Sequence, residues 1–291
     1  MRISFCAFVA MLVIVCNATR ADELGTPIDL SSFSDMDSVL DDSANTFDTD
    51  AMPIVPVDSS GHAVWIRPYV TGIVGASFGT INAGGSTPYA DGGQVQTVGS
   101  VNDTMFNGGG AIGMAIDRPS GLLRMEVEGR ARGPMSGQTT LGVKWSQTSG
   151  EVGIPLDVTV TNGWSAMMNF WRDYFFTDRF GVYGGGGFGV GGYQYSMQGN
   201  YPQPPSGVVY YRGSSVVNTF AWQAGTGVTY QLSDRITFDT GYRFFAMTPG
   251  STPLTATLGS YVQPGGSYTS AFSASELLLS VRIYEPFRNW R

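Results

Sequence analysis

Leu122-Leu123-Arg124-Met125-Glu126-Val127-Glu128-Gly129-Arg130-Ala131-Arg132 carries a charge at every second position from Arg124 to Arg132. The residues between the charges are apolar or small. A period of two is that of a β-strand with one polar and one apolar face. In a water-soluble sandwich the charges face solvent and the apolar row packs on a core. In a membrane-spanning barrel the same strand is reversed, with its apolar row to lipid and its charges in the lumen. The fold turns on which way this strand faces.

The first constraint is export. Met1-Arg2 precedes an apolar run from Ile3 to Val15, followed by Asn17-Ala18-Thr19-Arg20-Ala21. This is the pattern of a cleaved secretory signal over residues 1–21, with an apolar run too short to span a bilayer as a helix. Cys6 and Cys16 both lie in it, so the mature chain has no thiol, no disulfide and no cysteine metal site. Charged residues are 13% of the chain, about half the usual share of a globular domain. The acids concentrate in 22–60, where Asp22, Glu23, Asp29, Asp35, Asp37, Asp41, Asp42, Asp48, Asp50 and Asp58 occur with no Lys or Arg. That segment reads as a solvated periplasmic linker. Its Asp35-Met36-Asp37 and Asp48-Thr49-Asp50 pairs lack the remainder of a calcium loop.

From residue 61 to 287 the pattern predicts eight strands, at about 63–78, 105–117, 122–132, 157–171, 180–195, 218–232, 235–247 and 271–284. The connections alternate long and short: 79–104, 118–121, 133–156, 173–179, 196–217, 233–234 and 248–270. Parity sorting of this kind is expected of an all-β, eight-stranded, antiparallel up-and-down transmembrane barrel, with short periplasmic turns and long external loops. A short tail, 288–291, follows.

The apolar parity contains Val70, Val74 and Phe78 in the first strand, Val158, Val160, Trp164 and Met168 in the fourth, and Leu277, Leu279 and Val281 in the last. On the opposite parity lie Arg67, Asp117, Arg124, Glu126, Glu128, Arg130, Arg132, Asp157, Asp239, Arg243, Glu276 and Arg282. These are six arginines and six carboxylates, with no lysine. A guanidinium fork suits buried bidentate pairing, and an eight-stranded barrel is narrow enough to be filled by its own side chains. The expectation is a lumen plugged by paired charges.

Residues 162–195 (NGWSAMMNFWRDYFFTDRFGVYGGGGFGVGGYQY), 219–245 (TFAWQAGTGVTYQLSDRITFDTGYRFF) and the closing 275–284 resemble the strand–turn–strand units of small outer-membrane barrels of the opacity-like and OmpA-like type. The resemblance implies outer-membrane lipid around the barrel and handling by the barrel assembly machinery. One departure is that Glu285-Pro286-Phe287-Arg288-Asn289-Trp290-Arg291 continues past the closing strand.

Catalytic signals are weak. Gly184–Gly187 lacks the Gly-Lys-Ser/Thr of a phosphate loop. The one histidine, His62, precedes the first strand at the periplasmic end, which disfavours His-based hydrolysis and metal chemistry. No cofactor and no nucleic acid is expected. The reading is a non-catalytic structural or surface-contact barrel with an unknown ligand at its external loops. A narrow pore and a secreted soluble β-sandwich are the rivals.

Overall fold

The computed structural model describes residues 66–88, 94–118, 121–144, 151–203, 207–258 and 260–286. The expected signal segment, the acidic segment, His62 and the residues after 286 lie outside them. The strands are β1 (Ile66–Pro88), β2 (Gln94–Arg118), β3 (Gly121–Arg132), β4 (Met135–Lys144), β5 (Glu151–Phe175), β6 (Phe180–Gln203), β7 (Gly207–Gln231), β8 (Ile236–Met247), β9 (Gly250–Leu258) and β10 (Tyr261–Tyr284). Every pairing is antiparallel, and β1 pairs with both β2 and β10, so the sheet closes. Closure leaves no strand edge to face lipid.

Ten segments make eight staves. β3 and β4 form one stave interrupted at Gly133-Pro134, and β8 and β9 form another interrupted at Thr248-Pro249. Proline has no N–H to give to a ladder, so the pairing breaks there. The two breaks match closely. β3 and β8 each have 12 residues. The residue before each proline donates back to an outward phenylalanine, Gly133 N to Phe106 O at 2.8 Å and Thr248 N to Phe220 O at 2.9 Å. The interrupted staves are third and seventh of eight, on opposite sides of the ring.

The segments expected to be long external loops are mostly strand. β1 runs on to Pro88, β2 begins at Gln94, and β6 and β7 reach Gln203 and Gly207. A stave of 25 residues is about 80 Å of extended chain. Tilted as barrel strands are, it rises roughly 60 Å, against an apolar band of about 25 Å. The barrel therefore stands well clear of the membrane.

Its two storeys are inside-out with respect to each other. Near the short turns at 176–179 and 232–235, the outer face carries Ile66, Val74, Ile112, Met114, Met168, Phe170, Phe188, Leu277 and Leu279, and the inner face is charged. Higher up, Ile81, Val101, Met135, Leu156, Val158, Tyr195, Tyr211 and Leu254 fill the interior. There Asn102, Gln138, Asp157, Gln194, Gln198, Arg212 and Thr255 face out. Lipid requires an apolar exterior, whereas water favours an apolar core. Interrupted ladders cannot sit in hydrocarbon, because nothing there replaces the missing backbone bonds. The apolar band therefore ends below the two proline breaks. Phe106, Trp164 and Phe220 mark its upper rim, and Tyr174, Phe176 and Phe180 its lower one.

Three staves shift their in–out alternation at this boundary. β3 points even-numbered residues inward up to Arg132, and β4 points odd-numbered ones inward from Met135. β8 shifts likewise between Met247 and Thr252. In β5 a bulge between Thr161 and Trp164, with Asn162 at φ 53°, inserts one residue against β6. This corrects the uniform parity expected of that strand. Val158 and Val160 face the interior, while Trp164 and Met168 face lipid. Asp157 is corrected with them: it lies outside and accepts a hydrogen bond from Gln138 Nε2 at 2.9 Å.

Candidate functional site

The charged lumen begins at the end of the barrel that carries the short turns. Arg67 on β1 and Asp117 on β2 make a half-buried ion pair at 3.1 Å. Above them Arg124, Glu126, Glu128, Arg130 and Arg132 project inward from β3 as one column, as the period-two pattern requires. Arg124 meets Asp173 on the neighbouring β5, and the other four reach partners on staves not adjacent to β3.

The lower cluster is built on Asp173 of β5. Arg124 Nε and Nη2 both lie 2.9 Å from its Oδ1, and Arg282 Nη1 of β10 donates to its Oδ2 at 3.1 Å. Arg282 Nη2 also holds both oxygens of Asp239 on β8, each at 2.7 Å, and its Nη1 donates to Tyr284 Oη at 2.7 Å. The upper cluster joins Glu128 to Arg243 and to Arg130, whose Nε lies 2.6 Å from Glu128 Oε1. That contact is a close ion pair without hydrogen-bond alignment, since neither atom finds a hydrogen-bond partner. Arg130 Nη1 then reaches Glu276 of β10 at 2.6 Å, and its Nη2 reaches Gln223 Oε1 at 2.8 Å. Arg132 Nε shares Glu276 at 2.9 Å.

Glu126 sits between the clusters and makes no arginine pair. It accepts from Tyr69 Oη at 2.9 Å, Trp171 Nε1 at 2.7 Å and Asn169 Nδ2 at 3.2 Å. Asn169 links it to the upper cluster through Glu128 and Gln223. Five of the lumen guanidinium groups lie over rings: Arg132 on Phe245 at 3.9 Å, Arg243 on Trp171 at 4.6 Å, Arg67 on Tyr284 at 4.7 Å, Arg124 on Tyr183 at 5.3 Å and Arg282 on Tyr69 at 5.6 Å. Fork pairing and ring stacking are both open to arginine, and lysine lacks the planar fork.

Eleven of the twelve charges read from the sequence face the lumen, and Asp157 does not. Asp173, fully buried, takes its place and keeps the balance. With Arg67 and Asp117, the lumen again holds six arginines and six carboxylates, five of the carboxylates paired with arginine and Glu126 held by neutral donors. Sequence reasoning put Asp173 in a turn, although it lies at period two from Asn169 and Trp171 and β5 continues to Phe175. The neutral donors Tyr69, Asn169, Trp171, Gln223 and Ser77 were also missed. The glycine run of β6 makes room for this layer: a Cβ at Gly187 would strike Asn169 Oδ1, and one at Gly185 would lie 2.9 Å from the Trp171 ring.

A closed eight-stave ring, an apolar outer band between aromatic rims and a charge-paired interior define an outer-membrane β-barrel. No protein-family model matches the sequence, and no curated protein matches it. Among solved structures the backbone is similar to the outer membrane protease OmpT from Escherichia coli, at 10% identity and TM-score 0.44 over 75% of this chain and 96% of that one. It is also similar to the outer membrane protein OprG from Pseudomonas aeruginosa, at 11% identity and TM-score 0.35 over 74% and 95%. The third is Ail, the attachment invasion locus protein of Yersinia pestis, at 12% identity and TM-score 0.29 over 74% and 98%.

Proposed function

We propose that this outer-membrane barrel is non-conducting and non-catalytic, and acts through the upper storey it holds outside the cell. The observation that supports this is a lumen filled twice over. A charged layer with Glu128, Arg130, Glu276 and Arg282 at 0–4% exposure lies under an apolar layer with Leu156, Phe245 and Phe272 at 0–5%. A water column needs a continuous open polar path; the charged layer is filled by its own side chains, and the apolar layer offers no polar lining. Each buried carboxylate is engaged by arginines or neutral donors, which leaves none placed for acid–base work. The lower storey serves as an anchor in lipid, delivered by the barrel assembly machinery, with the acidic 22–60 segment on the periplasmic side. The outward polar wall and the strand tips are the surface offered to a ligand.

Planar-bilayer recording of the refolded protein tests the closed lumen. No steady conductance above the lipid baseline is expected in symmetric potassium chloride. A sustained, reproducible conductance step from the wild type would overturn the reading in favour of a narrow pore.

A further inference from the structure

The lumen balances its arginines with carboxylates, but the outer wall does not. From the upper aromatic rim to the lower one, the outward positions of the staves carry two charges among the described residues. Both are arginines, Arg118 on β2 and Arg172 on β5. β2 and β5 are the two neighbours of β3, so the pair flanks a single stave. Arg118 lies opposite Gly121, the first residue of β3, and Arg172 lies opposite Leu123. On its other side Gly121 borders Tyr174: a Cβ there would lie 3.4 Å from Tyr174 Cα and 1.9 Å from Asp173 O. Gly121 also has φ 119°, so the position excludes a side chain. Arg118 and Tyr174 therefore face each other over bare backbone, two strand spacings or about 10 Å apart.

Arg172 is directed to the same place. Its guanidinium carbon lies 5.4 Å from the centroid of the Tyr174 ring, and Tyr174 is two residues nearer the short turns. The cation is thus drawn to the level of the lower aromatic rim, where lipid headgroups lie. The adjoining turn adds Asp178 and Arg179, one charge of each sign, so the excess of positive charge stands. Toward the middle of the membrane, Leu123 and Met125 continue β3 with Ile116 and Phe170 beside them, an apolar path for an acyl chain. Two guanidinium forks over an open floor at headgroup depth suit one phosphodiester. The outward wall has no carboxylate to receive a headgroup ammonium, which disfavours a zwitterionic lipid. We propose that Arg118 and Arg172 bind one anionic phospholipid, of the phosphatidylglycerol class, with its phosphate over Gly121. The choice of a phospholipid rests on the reading that the upper storey stands outside the cell, which puts this rim in the inner leaflet.

The test is native mass spectrometry of the folded full-length barrel in nonionic detergent, with phosphatidylglycerol or phosphatidylcholine of identical acyl chains. One basic residue beside an anionic lipid is worth about fivefold in affinity. One phosphatidylglycerol is therefore expected to bind roughly 25-fold more tightly than phosphatidylcholine. Arg118→Gln and Arg172→Gln should each lose about fivefold, and Arg179→Gln, in the turn, should lose nothing. Phosphatidylglycerol with a headgroup photolabel should mark the peptides that hold Arg118 and Arg172 in the wild type, which locates the site even if neither variant folds. Equal binding of the two lipids, an equal loss in Arg179→Gln (a diffuse attraction to this end of the barrel), or displacement by inorganic phosphate (a free-anion site) would each overturn the site. Labelling of Thr177→Cys from outside intact cells would instead overturn the shared orientation, and the phospholipid leaflet with it.

Discussion

Arg130 and Arg132, two positions apart on β3, hold the same carboxylate, Glu276 on β10, through Nη1 at 2.6 Å and Nε at 2.9 Å. Glu276 is fully buried and also accepts from Ser77 Oγ at 3.0 Å. It ties two walls of the barrel that are far apart in sequence. Removing its charge leaves Arg132 without its carboxylate and Arg130 with Glu128 alone. Glu276→Gln is therefore expected to destabilise the refolded barrel by about 3–5 kcal/mol, the usual cost of breaking a buried pair from one side. Urea unfolding in lipid vesicles, followed by tryptophan fluorescence, measures it. A loss under about 1 kcal/mol would show that the lumen is wet enough to solvate both guanidinium groups.

Asp157 and Asp173 make a matched contrast. Asp157 lies on the outer wall with Gln138 as its partner, whereas Asp173 binds Arg124 and Arg282 in the lumen. Asp157→Asn is expected to fall within about 0.5 kcal/mol of wild type, as surface changes do. Asp173→Asn is expected to cost about 3–5 kcal/mol. The same unfolding assay separates them, and equal effects would contradict the position of the β5 bulge.

Those two residues also mark how far the sequence could be read. The ring of eight staves and the charged inner column were legible because lipid imposes a strict alternation, and Arg124–Arg132 sits in an unbroken ladder. Parity carries along a strand only while its ladder is regular. Asn162 adds one residue to β5, so every assignment above it changed face, and Asp157, Val158 and Val160 changed with it. The proline breaks after β3 and β8 do the same for the staves above them. The upper storey was illegible for another reason. A strand with apolar residues inside and Thr, Ser or Gln outside is polar on average, so 196–217 and 248–270 read as loop. Among the inner residues, the neutral donors Tyr69, Asn169 and Gln223 gave no signal, because their role depends on groups of other strands, Glu126 for Tyr69 and Asn169, and Asn169 for Gln223.

Glycines in the wall should divide by what faces them. A side chain at Gly187 of β6 would meet Asn169 and the backbone of Met168, whereas one at Gly129 of β3 would meet nothing within 4 Å. Gly187→Ala is expected to lose about 1–3 kcal/mol through overpacking. Gly129→Ala is expected to be neutral or to gain up to about 1 kcal/mol, through the smaller freedom of the unfolded chain. Fold yield and urea midpoint check both, and a tolerated Gly187→Ala would mean that the Asn169 layer can move.

The two storeys make conductance a test of series closure. Arg124→Ala loosens the charged layer alone, since its partners are Asp173 and the Tyr183 ring. Above it, Phe245 and Phe272 pack with centroids 6.1 Å apart, and Tyr193 lies 6.1 Å from Phe272. An ion that passed the first layer would still meet an apolar constriction, which excludes ions by refusing them water. Arg124→Ala and the pair Phe245→Ala with Phe272→Ala are each expected to leave the bilayer silent. Only the triple variant should show current. Single-channel recording of the three proteins decides it. If Arg124→Ala alone conducts, the apolar layer does not seal, and the charged layer is the whole gate.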